Sequence, residues 1–240
     1  MSDSTSTGAL SAVARVPLPA VPVLLVRVLY AWGLACLLGF AVAQGLVVTD
    51  AVLDLMEREY GSGARQRVVD LADMIESSRD LPERDKLERV NRFFNAMRYA
   101  SDSDLWDRKD YWATPFEALG INSADCEDYA LSKYFTLVSM GVSEDKLRIT
   151  YVKAVELGEA HMVLAYYPRQ DGEPLILDNL IDRIRPAGER TDLVPVYSFN
   201  GASLWLAVNR VEGRKVGGSD RISLWQQFQK RLAEQVAQAR

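Results

Sequence analysis

Apolar residues in the first half of the chain recur at the three- and four-residue spacing of helices that bury one face. A further helix begins at Cys126, because the turn-like residues 120–123 run directly into a helical stretch that ends before Gly141. The last residues of the chain repeat the amphipathic pattern. The predicted helices cover residues 50–60, 64–77, 82–99, 115–119, 126–140 and 220–240.

The pattern changes after residue 146, where apolar and polar residues begin to alternate and β-branched residues become frequent. Short gaps that contain glycine or proline separate the alternating segments, which predicts hairpins and an antiparallel sheet. The predicted strands cover residues 147–155, 160–167, 174–180 and 203–208. Helices followed by strands indicate an α+β fold, with N-terminal helices packed on an antiparallel β-sheet.

The N-terminal 43 residues have the pattern of an export signal. No charged residue occurs from Val28 to Val48, and the apolar run is followed by Ala41-Val42-Ala43, a small-x-small cleavage site. The same run is long enough to remain as an uncleaved membrane anchor. Both interpretations export the remainder, so residues 44–240 are predicted to form a single exported domain.

Net charge and the numbers of cysteines and histidines limit the functions and the catalytic residues that the chain can have. The net charge of −5 argues against a nucleic-acid-binding protein, which would usually carry a basic face. Of the two cysteines, Cys36 lies within the export segment, so an exported domain would hold Cys126 as an unpaired thiol. The sequence contains one histidine, His161, and any mechanism that needs an imidazole has to use it.

Cys126, His161 and Asp178 are the candidate catalytic residues. A thiol nucleophile needs a base within hydrogen-bonding distance, and the base needs a third group that sets its tautomer. Cys126 begins a helix, whose positive N-terminal end favours the thiolate. If the strands that carry His161 and Asp178 are adjacent and antiparallel, the hairpin between them brings these two residues close together.

Three carboxylates surround the candidate nucleophile, namely Asp125, Glu127 and Asp128. Their negative charge would raise the pKa of the thiol unless a cation binds them. The sequence therefore predicts a separate role for these carboxylates. More acidic residues lie in the segment 100–114, but this segment lacks the glycine and the terminal glutamate of an EF-hand loop, and a solvated loop is expected there.

Resemblance to a known family rests on three short segments and their spacing. They are DCEDYA at 125–130 followed by Lys133 and Tyr134, HMVL at 161–164, and LDN at 177–179. With these segments the chain resembles the bacterial transglutaminase-like cysteine proteinases, and among them the LapG-type periplasmic adhesin proteases. The resemblance covers residues 50 to 210 and implies a papain-like, transglutaminase-like fold.

The resemblance also implies roles for the site residues. Cys126 would be the nucleophile, His161 the general base and then acid, and Asp178 the carboxylate that orients it. Asp125 and Glu127 match the positions at which the family binds Ca²⁺, and Asp128 would add a further ligand.

The family likewise suggests a substrate and a regulator. The substrate would be the N-terminal region of a large surface adhesin, whose release disperses a biofilm. The regulator would be the periplasmic domain of an inner-membrane cyclic-di-GMP receptor that sequesters the protease.

Two other functions fit the same residues. A transglutaminase or acyltransferase uses the same triad and differs only in passing the acyl group to an amine instead of water. A non-catalytic periplasmic binding module could also retain the fold, although the presence of all three triad residues argues against it.

Overall fold

The computed structural model describes residues 45–238 and contains seven α-helices in that range. Each predicted helix is present, and most bounds agree within a few residues. The exception is the third helix, which ends at Asn95 instead of continuing to Tyr99. The helices are α1 Asp50–Tyr60, α2 Ser62–Ser78, α3 Glu83–Asn95, α4 Asp102–Trp106, α5 Pro115–Ile121, α6 Cys126–Ser139 and α7 Ser223–Gln238.

The described strands form a seven-stranded antiparallel sheet and a short parallel pair. In the large sheet the order is β6-β5-β4-β3-β7-β8-β9, and the small sheet pairs β1 with β2. Helices that precede an antiparallel sheet confirm the predicted α+β class. The strands are β1 Arg98–Tyr99, β2 Ser123–Ala124, β3 Leu147–Ala154, β4 Glu159–Tyr166, β5 Leu175–Leu177, β6 Arg185–Pro186, β7 Leu193–Phe199, β8 Leu204–Ala207 and β9 Gly213–Gly217.

Helix α6 lies against the centre of the sheet, and its buried side chains belong to the main apolar core. Successive side chains of β4 point to opposite faces of the sheet, as in any β-strand. Met162 and Leu164 join the large apolar cluster on the helical side, whereas Val163 and Ala165 join a smaller cluster on the other side. The core therefore fixes α6 relative to β4, the strand that carries His161.

The C-terminal helix α7 packs on the domain, as expected for its apolar face. Trp225 and Phe228 are fully buried, and the ring of Trp225 stacks on that of Phe135 in α6 at a centroid distance of 5.9 Å. Burying an aromatic side chain of this size contributes on the order of 2–3 kcal/mol. Because Trp225 also contacts the ring of Phe199 in β7 at 5.3 Å, the helix packs against both α6 and the sheet.

Strand β7 is the main element that the sequence pattern did not predict. It lies in the middle of the sheet between β3 and β8, although it contains Pro195. Proline lacks the N–H that a central strand donates, which argues against such a strand in a sequence. A register shift between Tyr151 and Val152 accommodates it, because Val152 pairs with Pro195 while Tyr151 pairs with Tyr197.

The predicted export segment, residues 1–43, lies outside the described residues, and the boundary at residue 44 stays a prediction. Within residues 45–238, no helix has both the length and the apolar content needed to cross a bilayer.

Candidate active site

Cys126 is the first residue of α6 and is positioned by the short parallel ladder before it. Arg98 pairs with Ser123 and Tyr99 with Ala124, so β2 delivers the chain to the start of the helix in an extended conformation. Asp125 occupies the N-cap position with extended backbone angles, but its side chain makes no capping hydrogen bond. The Cys126 thiol therefore lies at the positive end of α6, and the Asp125 carboxylate is available for another contact.

The Cys126 thiol is half-buried and contacts an acidic neighbour. Sγ donates a hydrogen bond to Oε2 of Glu127 at 2.9 Å, and it also lies at the backbone N–H of Met162. Burial raises the pKa of the Cys126 thiol well above its usual range, and the negative charges of Glu127 and Asp125 raise it further. This direction agrees with the effect expected from the sequence for carboxylates without a cation.

His161 and Asp178 meet beside the end of the ladder between β4 and β5. Strands β4 and β5 are antiparallel neighbours, and Leu164 pairs with Leu177. Asp178 follows β5 directly, and its Oδ1 lies 2.8 Å from Nε2 of His161. Both residues are buried. The adjacency that the hairpin spacing predicted is therefore confirmed.

The Asp178 carboxylate is fully paired. Oδ1 also accepts the backbone N–H of Leu180 at 3.1 Å, and Oδ2 accepts Nη2 of Arg190 at 2.7 Å. Burial alone would raise the pKa of Asp178, but these contacts outweigh it and lower the pKa to about 2. Asp178 is thus an anion at neutral pH. No pattern in the sequence pointed to Arg190.

The thiol, the imidazole and the carboxylate lie along one edge of β4. Sγ is next to Met162, the residue after His161, and Nδ1 is the ring nitrogen that Asp178 leaves free. Across residues 45–238, the hydrogen bonds of the thiol do not include one to the His161 ring. The arrangement suits a Cys-His-Asp triad, and the assignment of roles to its members stays a prediction.

Beside the thiol, five carboxylates form two overlapping groups that could hold a metal ion. Asp102, Asp125 and Asp128, all buried, offer oxygens within 4.8 Å of one another, and so do Asp102, Asp110 and Glu127. The structure thus brings together the predicted ligands Asp125, Glu127 and Asp128. It adds Asp102 and Asp110, which the sequence did not assign to this site.

The carboxylate oxygens are arranged as a cation site would require. Asp102 and Asp128 each use one oxygen to accept a backbone N–H, from Tyr111 and Ala113 respectively, both at 2.6 Å. In the part of the chain that the structure describes, Oδ1 of Asp102, Oδ1 of Asp125 and Oδ2 of Asp128 are buried without a hydrogen-bond partner. Hard oxygen donors of this kind fit Ca²⁺.

Burial and mutual repulsion raise the pKa values of the carboxylates in the cluster. Burial, together with the charges of Glu127 and Asp102, raises the pKa of Asp125 to about 9. Burial is also the largest cause that raises the pKa of Asp102, to about 6, and it raises the pKa of Asp128 well above the usual range. Adjacent buried anions are costly unless a positive charge compensates them.

Asp102 corrects one expectation from the sequence. The segment 100–114 was predicted to be a solvated acidic loop, and Asp104, Asp107 and Asp110 are indeed exposed. Asp102 is instead only 4% exposed, because helix α4 turns it towards α6. The prediction of a solvated loop is therefore wrong for Asp102 and for residues 111–114, which are also buried.

Comparison with known proteins identifies the family. The profile of the bacterial transglutaminase-like cysteine proteinases (BTLCP) matches residues 68–210. The chain belongs to this family. It is therefore a cysteine protease with a transglutaminase-like fold. A search of curated proteins returned no match.

Solved structures of Legionella pneumophila LapG are similar to this protein over most of its length. The EGTA-treated form of LapG is 41% identical, with a TM-score of 0.69, and the match covers 78% of this chain and 99% of LapG. The calcium-bound form is 40% identical, with a TM-score of 0.67 and the same coverage. The family resemblance seen in the short sequence segments thus extends to the whole fold.

Proposed function

We propose that this protein is a calcium-dependent periplasmic cysteine endopeptidase that cleaves the N-terminal region of a large surface adhesin. Cleavage would release the adhesin from the cell and promote dispersal of a biofilm. An inner-membrane cyclic-di-GMP receptor would control the protease by sequestering it through a periplasmic domain. Membership of the cysteine proteinase family and the resemblance to the LapG-type adhesin proteases support this proposal.

One observation carries the calcium dependence. Glu127 belongs to the carboxylate cluster and also accepts the hydrogen bond of the Cys126 thiol. Any ion held by the cluster would therefore be connected to the nucleophile by the hydrogen bond between Glu127 and the Cys126 thiol. The similarity to LapG, which has been solved in calcium-bound and EGTA-treated forms, supports Ca²⁺ as that ion. Bound Ca²⁺ would supply positive charge that offsets these carboxylates beside the thiolate.

Acylation would be the first half of the reaction. His161 takes the thiol proton at Nδ1, and the Cys126 thiolate attacks the carbonyl carbon of the scissile peptide bond. Backbone N–H groups at the start of α6 stabilise the oxyanion that forms. The imidazolium then returns its proton to the leaving amine as the C–N bond breaks, which leaves an acyl group on Cys126.

Hydrolysis of the acyl-enzyme would complete the cycle. His161 removes a proton from water as the oxygen attacks the acyl carbon, and the thiol leaves with that proton. Asp178 remains an anion throughout, accepts the Nε2–H of His161 and stabilises the imidazolium. If an amine takes the place of water, the same site performs acyl transfer.

The decisive experiment mixes the chain from residue 44 onwards with the N-terminal region of a large adhesin from the same organism. We expect cleavage in Ca²⁺, loss of cleavage in EGTA, and no cleavage by Cys126→Ala. A labelled amine in the same mixture tests acyl transfer, because incorporation without chain cleavage would overturn the protease assignment. Cleavage that is unchanged in EGTA would overturn the calcium dependence.

Regulation needs a separate measurement. The purified periplasmic domain of a cyclic-di-GMP receptor from the same organism should bind this protein and slow adhesin cleavage in proportion to the complex formed. Absence of binding at micromolar concentrations would contradict the proposed control while leaving the proteolytic function intact.

A further inference from the structure

Arg190 is a buried cation that contacts the carboxylate of Asp178. The residue is only 2% exposed, and its Nη2 donates to Oδ2 of Asp178 at 2.7 Å. On the other side, Nε and Nη2 of Arg190 donate to the carboxylate of Asp192 at 3.0 and 2.7 Å. The guanidinium thus joins the candidate catalytic carboxylate to a second, partly exposed one.

We propose that Arg190, held by Asp192, is the positioning residue that sets the tautomer of His161. The inference rests on the roles proposed for His161 and Asp178. By occupying Oδ2 of Asp178, the guanidinium leaves Oδ1 to accept the Nε2–H of His161. The proton on Nε2 leaves the lone pair of Nδ1 available for the Cys126 thiol.

The distribution of donors around Asp178 carries this inference. Oδ1 accepts from His161 and from the N–H of Leu180, whereas Oδ2 accepts from Arg190. Asp178 is 1% exposed, so loss of Arg190 would leave Oδ2 buried without a partner. A carboxylate in that state gains by rotating or by taking up a proton, and either change disturbs the hydrogen bond to His161.

The backbone of Arg190 is also fixed. Its N–H donates to the carbonyl of Ala187, and its own carbonyl accepts the N–H of Leu193 at the start of β7. The side chain therefore projects from an anchored segment. A planar guanidinium that spans two carboxylates is more restricted in orientation than an ammonium group.

Other charged groups near Asp178 cannot take over this role. Lys133 of α6 and Asp182 both lie close enough to interact electrostatically with this region. The Lys133 ammonium group, however, is buried without a hydrogen-bond partner in the described chain. Arg190 is the cationic side chain that makes a direct hydrogen bond with the Asp178 carboxylate.

The test uses nitrogen-15 NMR of the imidazole. His161 is the only histidine in the sequence, so the ring signals belong to one residue without further assignment. In the wild-type chain from residue 44 onwards we expect neutral His161 as the Nε2–H tautomer. In Arg190→Gln we expect a mixture with the Nδ1–H tautomer, because the Asp178 carboxylate is no longer held with Oδ1 towards Nε2 of His161.

Three further variants keep the test decisive. Arg190→Lys retains the positive charge but lacks the planar set of N–H donors of the guanidinium. Asp192→Asn removes the negative charge that holds the guanidinium in place. Both variants should shift the tautomer in the same direction as Arg190→Gln, by a smaller amount. Arg214→Gln, an exposed arginine on β9, is the matched control and should give the wild-type spectrum. If Arg190→Gln does not fold, the lysine and Asp192 variants decide.

The inference would be overturned if Arg190→Lys and Asp192→Asn, and Arg190→Gln where it folds, all kept the wild-type tautomer of His161. On a cleaved substrate, Arg190→Gln should lower kcat by about tenfold or more with little change in KM, the usual cost of losing a group that orients a histidine. The spectra need no substrate. Failure of the wild-type protein to cleave an adhesin would therefore count against the proposed function alone.

Discussion

Glu127 accepts the hydrogen bond of the Cys126 thiol at 2.9 Å while its carboxylate also belongs to the acidic cluster. One side chain therefore connects the candidate nucleophile with the candidate metal site. Without a cation, this contact and the burial of the thiol both favour the protonated form of Cys126. A cation drawn to Glu127 would weaken that effect, so reactivity of the thiol should report on occupancy of the site.

Alkylation of Cys126 should accordingly depend on calcium. In EGTA the raised pKa of the thiol leaves little thiolate at pH 7, and iodoacetamide should react slowly. Saturating Ca²⁺ should speed the reaction by about tenfold or more, since each unit by which the pKa falls raises the thiolate fraction about tenfold.

The chain from residue 44 onwards makes this measurement specific, because Cys126 is then its only thiol. Mass spectrometry of the labelled protein over time gives the rate. Glu127→Gln serves as a comparison and should react faster than wild type in EGTA, because the negative charge beside the thiol is gone. Equal rates with and without Ca²⁺ in the wild-type protein would contradict the coupling.

Asp102 should bind the ion even though it lies far from Asp125 in the sequence. Asp102→Asn should weaken Ca²⁺ binding by about tenfold or more, because affinity in oxygen-ligand sites follows the number of charged ligands. Isothermal titration of Ca²⁺ into a Cys126→Ala background measures this without proteolysis. The matched control is Asp107→Asn, an exposed aspartate outside both carboxylate groups. Equal affinity in the two variants would remove Asp102 from the site.

Stability should fall with rising pH when no calcium is bound. An unfolded aspartate has a pKa of about 3.9, whereas the folded pKa of Asp125 is raised to about 9. Between these values the folded chain binds the proton and the unfolded chain does not, so the free energy of unfolding decreases as pH rises through this window. Urea unfolding in calcium-free buffer at pH 5, 6 and 7, below the range in which Lys133 would change stability in the opposite direction, tests the sign.

Two comparisons make that result specific to the cluster. Asp125→Asn should show a shallower decrease, because the titrating group is gone. Calcium at one hundred times its dissociation constant should add about 2.7 kcal/mol and raise the melting temperature by about 5–10 °C. Wild-type stability that rises between pH 5 and pH 7 in calcium-free buffer would contradict the repulsion described for this cluster.

The fold could be predicted wherever one local pattern decided the element. Helices α1 and α2 and strands β3 and β4 have clear periodicity, and their bounds lie within two residues of the prediction. Strand β7 could not be predicted from its sequence. It tolerates Pro195 only through a register shift against β3, and that shift depends on tertiary pairing. Strand β9 has glycine at both ends and little alternation, so its pairing with β8 carries the information that its sequence lacks.

The site residues also divide into those that local sequence features predict and those that depend on tertiary packing. Cys126, His161 and Asp178 could be selected because the thiol begins a helix, the histidine is unique and a short hairpin joins the two strands. Asp102 and Arg190 were not predictable in this way. Each is placed by packing between distant segments, and a single aspartate or arginine in a polar stretch is usually solvated.

Lys133 is a buried cation that should reduce stability. Its ammonium group is fully buried in α6 without a hydrogen-bond partner in the described residues, and burial lowers its pKa to about 7. An unfolded lysine has a pKa of about 10.4, so between these values the unfolded chain binds the proton and stability decreases as pH falls. Lys133→Met removes this penalty and should raise the free energy of unfolding by about 1–3 kcal/mol at pH 7.

The gain from Lys133→Met should shrink towards pH 10, where the lysine of the unfolded chain also begins to lose its proton. Urea unfolding at pH 7 and pH 10 compares the two conditions. Lys230→Met, an exposed lysine on α7, is the matched control and should change stability by less than about 0.5 kcal/mol. A loss of stability in Lys133→Met at pH 7 would mean that attraction to Asp178 outweighs the cost of burial, and that Lys133 supports the anion that orients His161.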